Sequence, residues 1–198
     1  MFNKSINFYF FIFVFYAVYC AIEIGQNWDT LANYSFGKGR LDYFLSLGAD
    51  DSYKNVFGRK YYSGLYNTIS AFLVQFFPIK YNIEVIHLIN LFFSFCTIFG
   101  ISKLSKELFN KEIGKIVFVF CMLNAVFFGH MATNGNDTIV AFANVWALYT
   151  IIKYLKYQNI YERRKKFIIF SGLAIGFGLG VRLSFFATII PIIFFLLL

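Results

Sequence analysis

Residues 139–155 read IVAFANVWALYTIIKYL, residues 156–166 read KYQNIYERRKK and residues 167–181 read FIIFSGLAIGFGLGV. Two apolar runs, each near the length of helix that crosses a ~30 Å hydrocarbon layer, flank one short basic stretch. In a bilayer this is a pair of spans, and the positive-inside rule puts Lys153, Lys156, Arg163, Arg164, Lys165 and Lys166 in the cytoplasm. The composition agrees: 59% of the 198 residues are hydrophobic, 14% are charged and the mean hydropathy is +0.64, which is too apolar for a soluble domain of this size. A net charge of +8 would also suit a nucleic-acid surface. The cations, however, concentrate in two short segments between apolar runs, so topology accounts for them and no nucleic-acid partner is expected.

Extending the same ruler outward gives about six spans, near 6–25, 83–101, 116–128, 139–155, 167–181 and 185–198. Lys103, Lys106, Lys111 and Lys115 form the second basic cluster, between spans two and three. Alternation then leaves the N-terminus in the cytoplasm. Outside lie residues 26–80, the turn 129–137, which carries no Lys or Arg, and the turn around Arg182. The expected fold class is all-α: a polytopic transmembrane helical bundle with one long extracytoplasmic loop. Within that loop, Tyr62 to Phe77 has helical spacing, with Leu65, Ile69, Phe72, Leu73 and Phe76 on one side and Asn67, Ser70 and Gln75 on another, before Pro78 ends it. This reads as an interfacial helix or a re-entrant turn. The first apolar run exceeds a signal-peptide core and has no A-x-A-like site after it, so it is read as a membrane anchor. Cys20, Cys96 and Cys121 lack metal or disulfide spacing. Gly172, Gly176 and Gly180, four apart, predict a stripe for close helix contact. The apolar run up to Leu198 has no basic or aromatic flank, so residues 1–198 are expected to be part of a larger membrane domain.

Ionisable groups at the edge of a bilayer are costly and mark candidate sites. Three sets fall on the outer side. Glu23 and Asp29 lie at and beyond the end of span one, with Asp29 also able to cap a helix starting at Thr30. The turn from Gly129 to Asp137 brings His130, Asn134, Asn136 and Asp137 together, and Asp137 is equally placed to cap span four. Arg59 and Lys60, before Tyr61 and Tyr62, and Arg182, at the outer end of span five, are the cations able to hold a phosphate at the interface.

Three motifs carry a family likeness: Trp28-Asp29 after the first span, Gly58-Arg59-Lys60-Tyr61-Tyr62-Ser63-Gly64 before the interfacial helix, and Gly129-His130-Met131 through Asn134-Gly135-Asn136-Asp137. With a long outward loop after span one, the chain resembles the N-terminal part of a GT-C membrane glycosyltransferase. The branch it is most similar to holds the protein O-mannosyltransferases, the lipid A aminoarabinose transferase and the RgtA/B/C/D-like proteins. The resemblance implies transfer of a sugar from a polyprenyl-phosphate donor to a hydroxyl acceptor (lipid, glycan or protein) outside the bacterial inner membrane. Asp29 then resembles the first-loop carboxylate that acts as base, and Asp137 a second-loop acid that orients the acceptor or a divalent cation. Arg59, Lys60, Tyr62, His130, Asn134 and Arg182 would bind substrate. Many relatives have an adjacent Asp-Glu pair in the first loop, whereas Thr30 follows Asp29 here. A transporter or channel subunit, resting on His87, Asn90 and Asn124 in mid-span, and a non-catalytic scaffold are the other readings.

Overall fold

The computed structural model describes residues 4–56, 58 and 62–197, and among them every regular element is helical. The 139–181 hairpin is present as α7 (Gly135–Lys156) and α8 (Tyr161–Val181). Helix α7 is the centre of the molecule, packed between α8 and α4 (Asn82–Leu108). Its Ile139, Ala143 and Ala147, four apart, are fully buried, and the two small side chains let neighbouring helices come close. Helix α4 also carries α5 (Lys111–Leu123) and α1 (Lys4–Glu23), joined by Ala17, Ala21, Ile98, Phe118 and Met122. After Asn124 comes the short α6 (Ala125–His130), and α9 (Phe185–Leu197) closes the chain against α7 and α8.

The apolar surface is large: Tyr9, Phe11, Phe15, Tyr19, Phe120, Leu173 and Phe194 are all more than half exposed, as side chains facing lipid should be. By length and composition, α4 with its preceding turn (Ile79–Leu108) and α7 are each able to cross a membrane, and the protein is an integral membrane protein. A third crossing counts if α1 is joined to α2 (Trp28–Leu45), from which it is bent by 82°. The expected span 116–128 is divided between α5 and α6, because Asn124 leaves the helix and its side chain accepts the Phe127 amide at 2.7 Å.

The segment 26–80, expected as a loop, is largely helical. Helix α2 fills its first third despite Gly37 and Gly39, which lower helix propensity. Packing overrides propensity there: a Cβ at Gly37 would collide with the Asn67 carbonyl, and one at Gly39 would press on the Tyr53 backbone. The interfacial helix is α3 (Leu65–Val74), shorter than the 62–77 expectation and begun by Gly64 at φ +70°. Its polar side, with Asn67 and Ser70, is buried against the protein, whereas Phe72 and Leu73 point outward with Phe76 beyond them. The glycine stripe of α8 is used only in part. Gly180 meets Leu65 and the intervening Gly178 meets Phe185, while Gly172 and Gly176 face open space.

Candidate functional site

Two helix starts build the site. Asn27, not Asp29, caps α2: its Oδ1 accepts the Thr30 amide at 2.8 Å, because an asparagine just before Trp28 has the extended backbone a cap needs. The same side chain donates through Nδ2 to the Thr133 carbonyl at 2.9 Å. Asp29 is thereby placed in the first turn of α2. Helix α7 begins at Gly135, so Asp137 likewise lies in a first turn instead of at the cap. Both carboxylates stand at the positive end of a helix dipole.

The start of α7 is fastened from below by α4. Asn90 Nδ2 donates to the Ala132 carbonyl at 2.8 Å, Ser94 Oγ donates to the Met131 carbonyl at 2.9 Å, and the Tyr66 hydroxyl of α3 donates to Asn90 Oδ1. Gly135 sits over this network, where a Cβ would lie 2.9 Å from Asn90 Oδ1 and 3.0 Å from the Tyr66 ring. The polar residues expected at mid-span are thus largely structural. Asn90 is fully engaged, Asn124 caps α6, and His87 Nδ1 meets the Ala21 carbonyl at 3.1 Å.

Above the network, Asp137 Oδ1 accepts Arg182 Nη1 at 2.7 Å and Oδ2 accepts Asn134 Nδ2 at 3.2 Å. Arg182 is the residue after α8, where the chain leaves the helix. Both side chains are substantially exposed, 60% for Asp137 and 40% for Arg182, so the pair adds at most about 1 kcal/mol of stability and its value is positional. Across from it, Arg40 of α2 lies over the Phe36 and Tyr53 rings and donates to the Tyr62 carbonyl at 3.1 Å, fixing Tyr62 beside the cavity.

Between these walls lies an open cavity of about 730 Å³. Helix α2 supplies Trp28, Asp29, Ala32 and Ser35, the connection supplies Val56, Gly58 and Tyr62, and the far wall is Asn134, Asn136, Asp137 and Arg182. Five of the residues expected from sequence therefore converge: Asp29, Tyr62, Asn134, Asp137 and Arg182. His130 does not line this cavity; it lines a neighbouring furrow with Asn134 and Asp137. Arg59 and Lys60 lie outside the described residues. Among the described residues no group of three His, Cys, Asp or Glu is close enough to hold a metal ion. Asn27 and Ser35 were missed. Asn27 had a signal, an asparagine three residues before Thr30 with an acidic residue in the turn between, which is the pattern of a capped helix start.

The chemistry available is specific. A cavity with two carboxylates, a guanidinium, amides and aromatic side chains can bind a sugar, hold a phosphate and accept a proton. No curated protein and no solved structure matches the chain. The family model described as dolichyl-phosphate-mannose-protein mannosyltransferase matches residues 66–198, a stretch that includes His130, Asn134, Asp137 and Arg182 and stops short of Asp29. Because that match takes in well over half of its length, the chain belongs to the dolichyl-phosphate-mannose-protein mannosyltransferase family, and membership implies a membrane glycosyltransferase that works with a lipid-linked sugar donor and an acceptor.

Proposed function

We propose that this chain carries the catalytic face of a glycosyltransferase that moves a sugar from a polyprenyl-phosphate-linked donor to a hydroxyl acceptor on the extracytoplasmic side of the membrane. The observation that carries the reading is the convergence of Asp29, Asp137 and Arg182 on one cavity. The distribution of charge supports this side. Asp137 and Lys156 lie at opposite ends of α7, ~28 Å apart at 1.5 Å per residue. At the far end, Glu107 of α4 accepts from Lys153 at 2.8 Å and from Lys156 at 3.2 Å, within the basic clusters that the positive-inside rule assigns to the cytoplasm. Six crossings, made by α1, α4, α5 with α6, α7, α8 and α9, satisfy this orientation with the N-terminus inside, and residues 1–198 then belong to one GT-C-like membrane domain.

The acceptor hydroxyl oxygen attacks the anomeric carbon and its proton passes to the Asp29 carboxylate. The bond from that carbon to the phosphate oxygen breaks, and the electron pair leaves with the phosphate. Arg182 uses one N–H on Asp137 and has others for the charge that develops on the leaving group. Asp137 and Asn134 orient the sugar or the acceptor, and Tyr62 forms a flat wall. In sequence Arg59 and Lys60 stand between the cavity residues Gly58 and Tyr62, which makes them the further cations for the phosphate. In the full-length protein, Asp29→Asn and Asp137→Asn should each reduce sugar transfer from a polyprenyl-phosphate donor by at least ~100-fold, the usual scale of acid–base contributions. Transfer at the wild-type rate in both variants would sink the proposal.

A further inference from the structure

Asp137 and Asn134 line two cavities. Besides the 730 Å³ site they border a furrow of about 570 Å³ between α5 and α7, two helices that both pack on α4 and leave a cleft over it. The furrow floor and walls are apolar, with Val117, Phe120 and Val126 on one side and Ala141 on the other, and its polar groups are Asn124, His130, Asn134, Asp137 and Thr138. Phe120 and Val126 are each about seven-tenths exposed, so the furrow opens sideways to the layer that the other apolar faces meet. Two further apolar hollows, between α7 and α8 and between α1 and α5, share no residue with the site.

Resting on the glycosyltransferase reading, we infer that the acceptor is a hydroxyl-bearing lipid whose chain lies in the α5–α7 furrow while its hydroxyl reaches Asp137. Three features fit this occupant. An apolar trough ending in an imidazole, two amides and a carboxylate matches a molecule with a hydrocarbon chain and an uncharged polar head. Asp137, bordering both cavities, is where a hydroxyl from one side meets a sugar from the other. The third is the distribution of cations. Among the described residues lining the two cavities, Arg182 is the one Arg or Lys, and it lines only the larger cavity, so the donor phosphate belongs there and the furrow is left for a substrate that needs no fixed cation. The transfer remains balanced as written above: the lipid hydroxyl, oriented by Asp137 at the border of the two cavities, loses its proton to the Asp29 carboxylate across the larger cavity, the new glycosidic bond forms at the anomeric carbon, and the polyprenyl phosphate departs.

The test uses the full-length protein in phosphatidylethanolamine–phosphatidylglycerol vesicles with a dodecyl glucoside carrying a photoreactive diazirine on its chain. Labelling should concentrate on the Val117–Phe120 and Ala141 peptides, fall when unlabelled dodecyl glucoside competes, and be indifferent to free glucose. Ala141→Trp and, from the opposite wall, Val117→Trp should each cut it at least fivefold, with labelling near Leu173 in the α7–α8 hollow unchanged as the control for folding. Even labelling of all lipid-facing helices without competition overturns the inference, and so does competition by farnesyl phosphate in place of the glucoside, since the furrow would then hold the donor chain. Sugar transfer measured in the same vesicles separates the two ideas. Transfer with no furrow labelling removes only the lipid acceptor, whereas competed labelling with no transfer under any donor removes the enzymatic reading.

Discussion

The starts of α2 and α7 present the same device on different foundations. Each follows an asparagine and places an aspartate in its first turn beside the cavity, although only Asn27 caps its helix with its side chain while that of Asn134 donates to Asp137. Beneath α7, however, lies a buried network of Asn90, Ser94 and Tyr66, whereas α2 is tied to the start of α7 through the Asn27 amide, with a longer 3.5 Å contact from Asn136 to Asn33. One carboxylate is built into the helical bundle and the other is held against it from outside. The difference teaches that Asp137 provides the reference geometry and Asp29 is adjusted to it. The strongest way to break the comparison is Asn90→Ala, which orphans both the Tyr66 hydroxyl and the Ala132 carbonyl in a buried place. A loss on the order of 2 kcal/mol is expected, read as a lowered Tm in detergent, together with a fall of ~100-fold or more in transfer as the start of α7 shifts. An Asn90→Ala protein with unchanged Tm would mean that α7 is not anchored this way.

The other foundation is probed at Asn27, where two substitutions separate two roles. Asn27→Asp keeps an oxygen for the Thr30 amide and removes the donor to Thr133, so the helix start should hold while transfer drops by roughly tenfold, on the principle that small misplacements of a catalytic group are costly. Asn27→Ala removes both and should add about 1 kcal/mol of destabilisation. If Asn27→Asp transfers sugar as fast as wild type, the tether to Thr133 does not set the position of Asp29, and the two foundations are equivalent after all.

The same contrast explains what could be read from the amino-acid sequence. The all-helical fold and the polar candidates Asp29, Tyr62, Asn134, Asp137 and Arg182, which line one cavity, were legible because polar residues stand out against an apolar background whose length is set by the bilayer. The length of helix α2 was not legible beyond its capped start, since Asn33, Ser35, Gly37, Lys38, Gly39 and Arg40 read as a polar loop and the fit of Gly37 and Gly39 against Asn67 and Tyr53 holds that stretch helical. The periodicity of α3 was correct, but periodicity separates two faces without saying which one meets protein. Next to lipid the apolar face turns outward, and Asn67 and Ser70 go in. His130 ends α6 and lines the neighbouring furrow, which shares Asn134 and Asp137 with the larger cavity, a division that the linear turn does not reveal.

The mildest test is at the joint between the foundations, Arg182. Arg182→Lys keeps a positive charge at the end of α8 but replaces a fork that can serve Asp137 and a phosphate at once by a single ammonium. Because the ion pair is exposed, its loss should change Tm by little. Transfer should respond more than folding does: the lysine satisfies Asp137 or the leaving phosphate less completely, and a fall of about fivefold in kcat/KM for the donor corresponds to roughly 1 kcal/mol of lost transition-state binding. The split matters more than its size. A loss confined to kcat/KM of the donor, with the acceptor KM unchanged, keeps Arg182 on the phosphate side of Asp137. An equal rise in the acceptor KM would instead put the guanidinium on the path of the acceptor, and the two sides of the Asp137 wall would have to be exchanged.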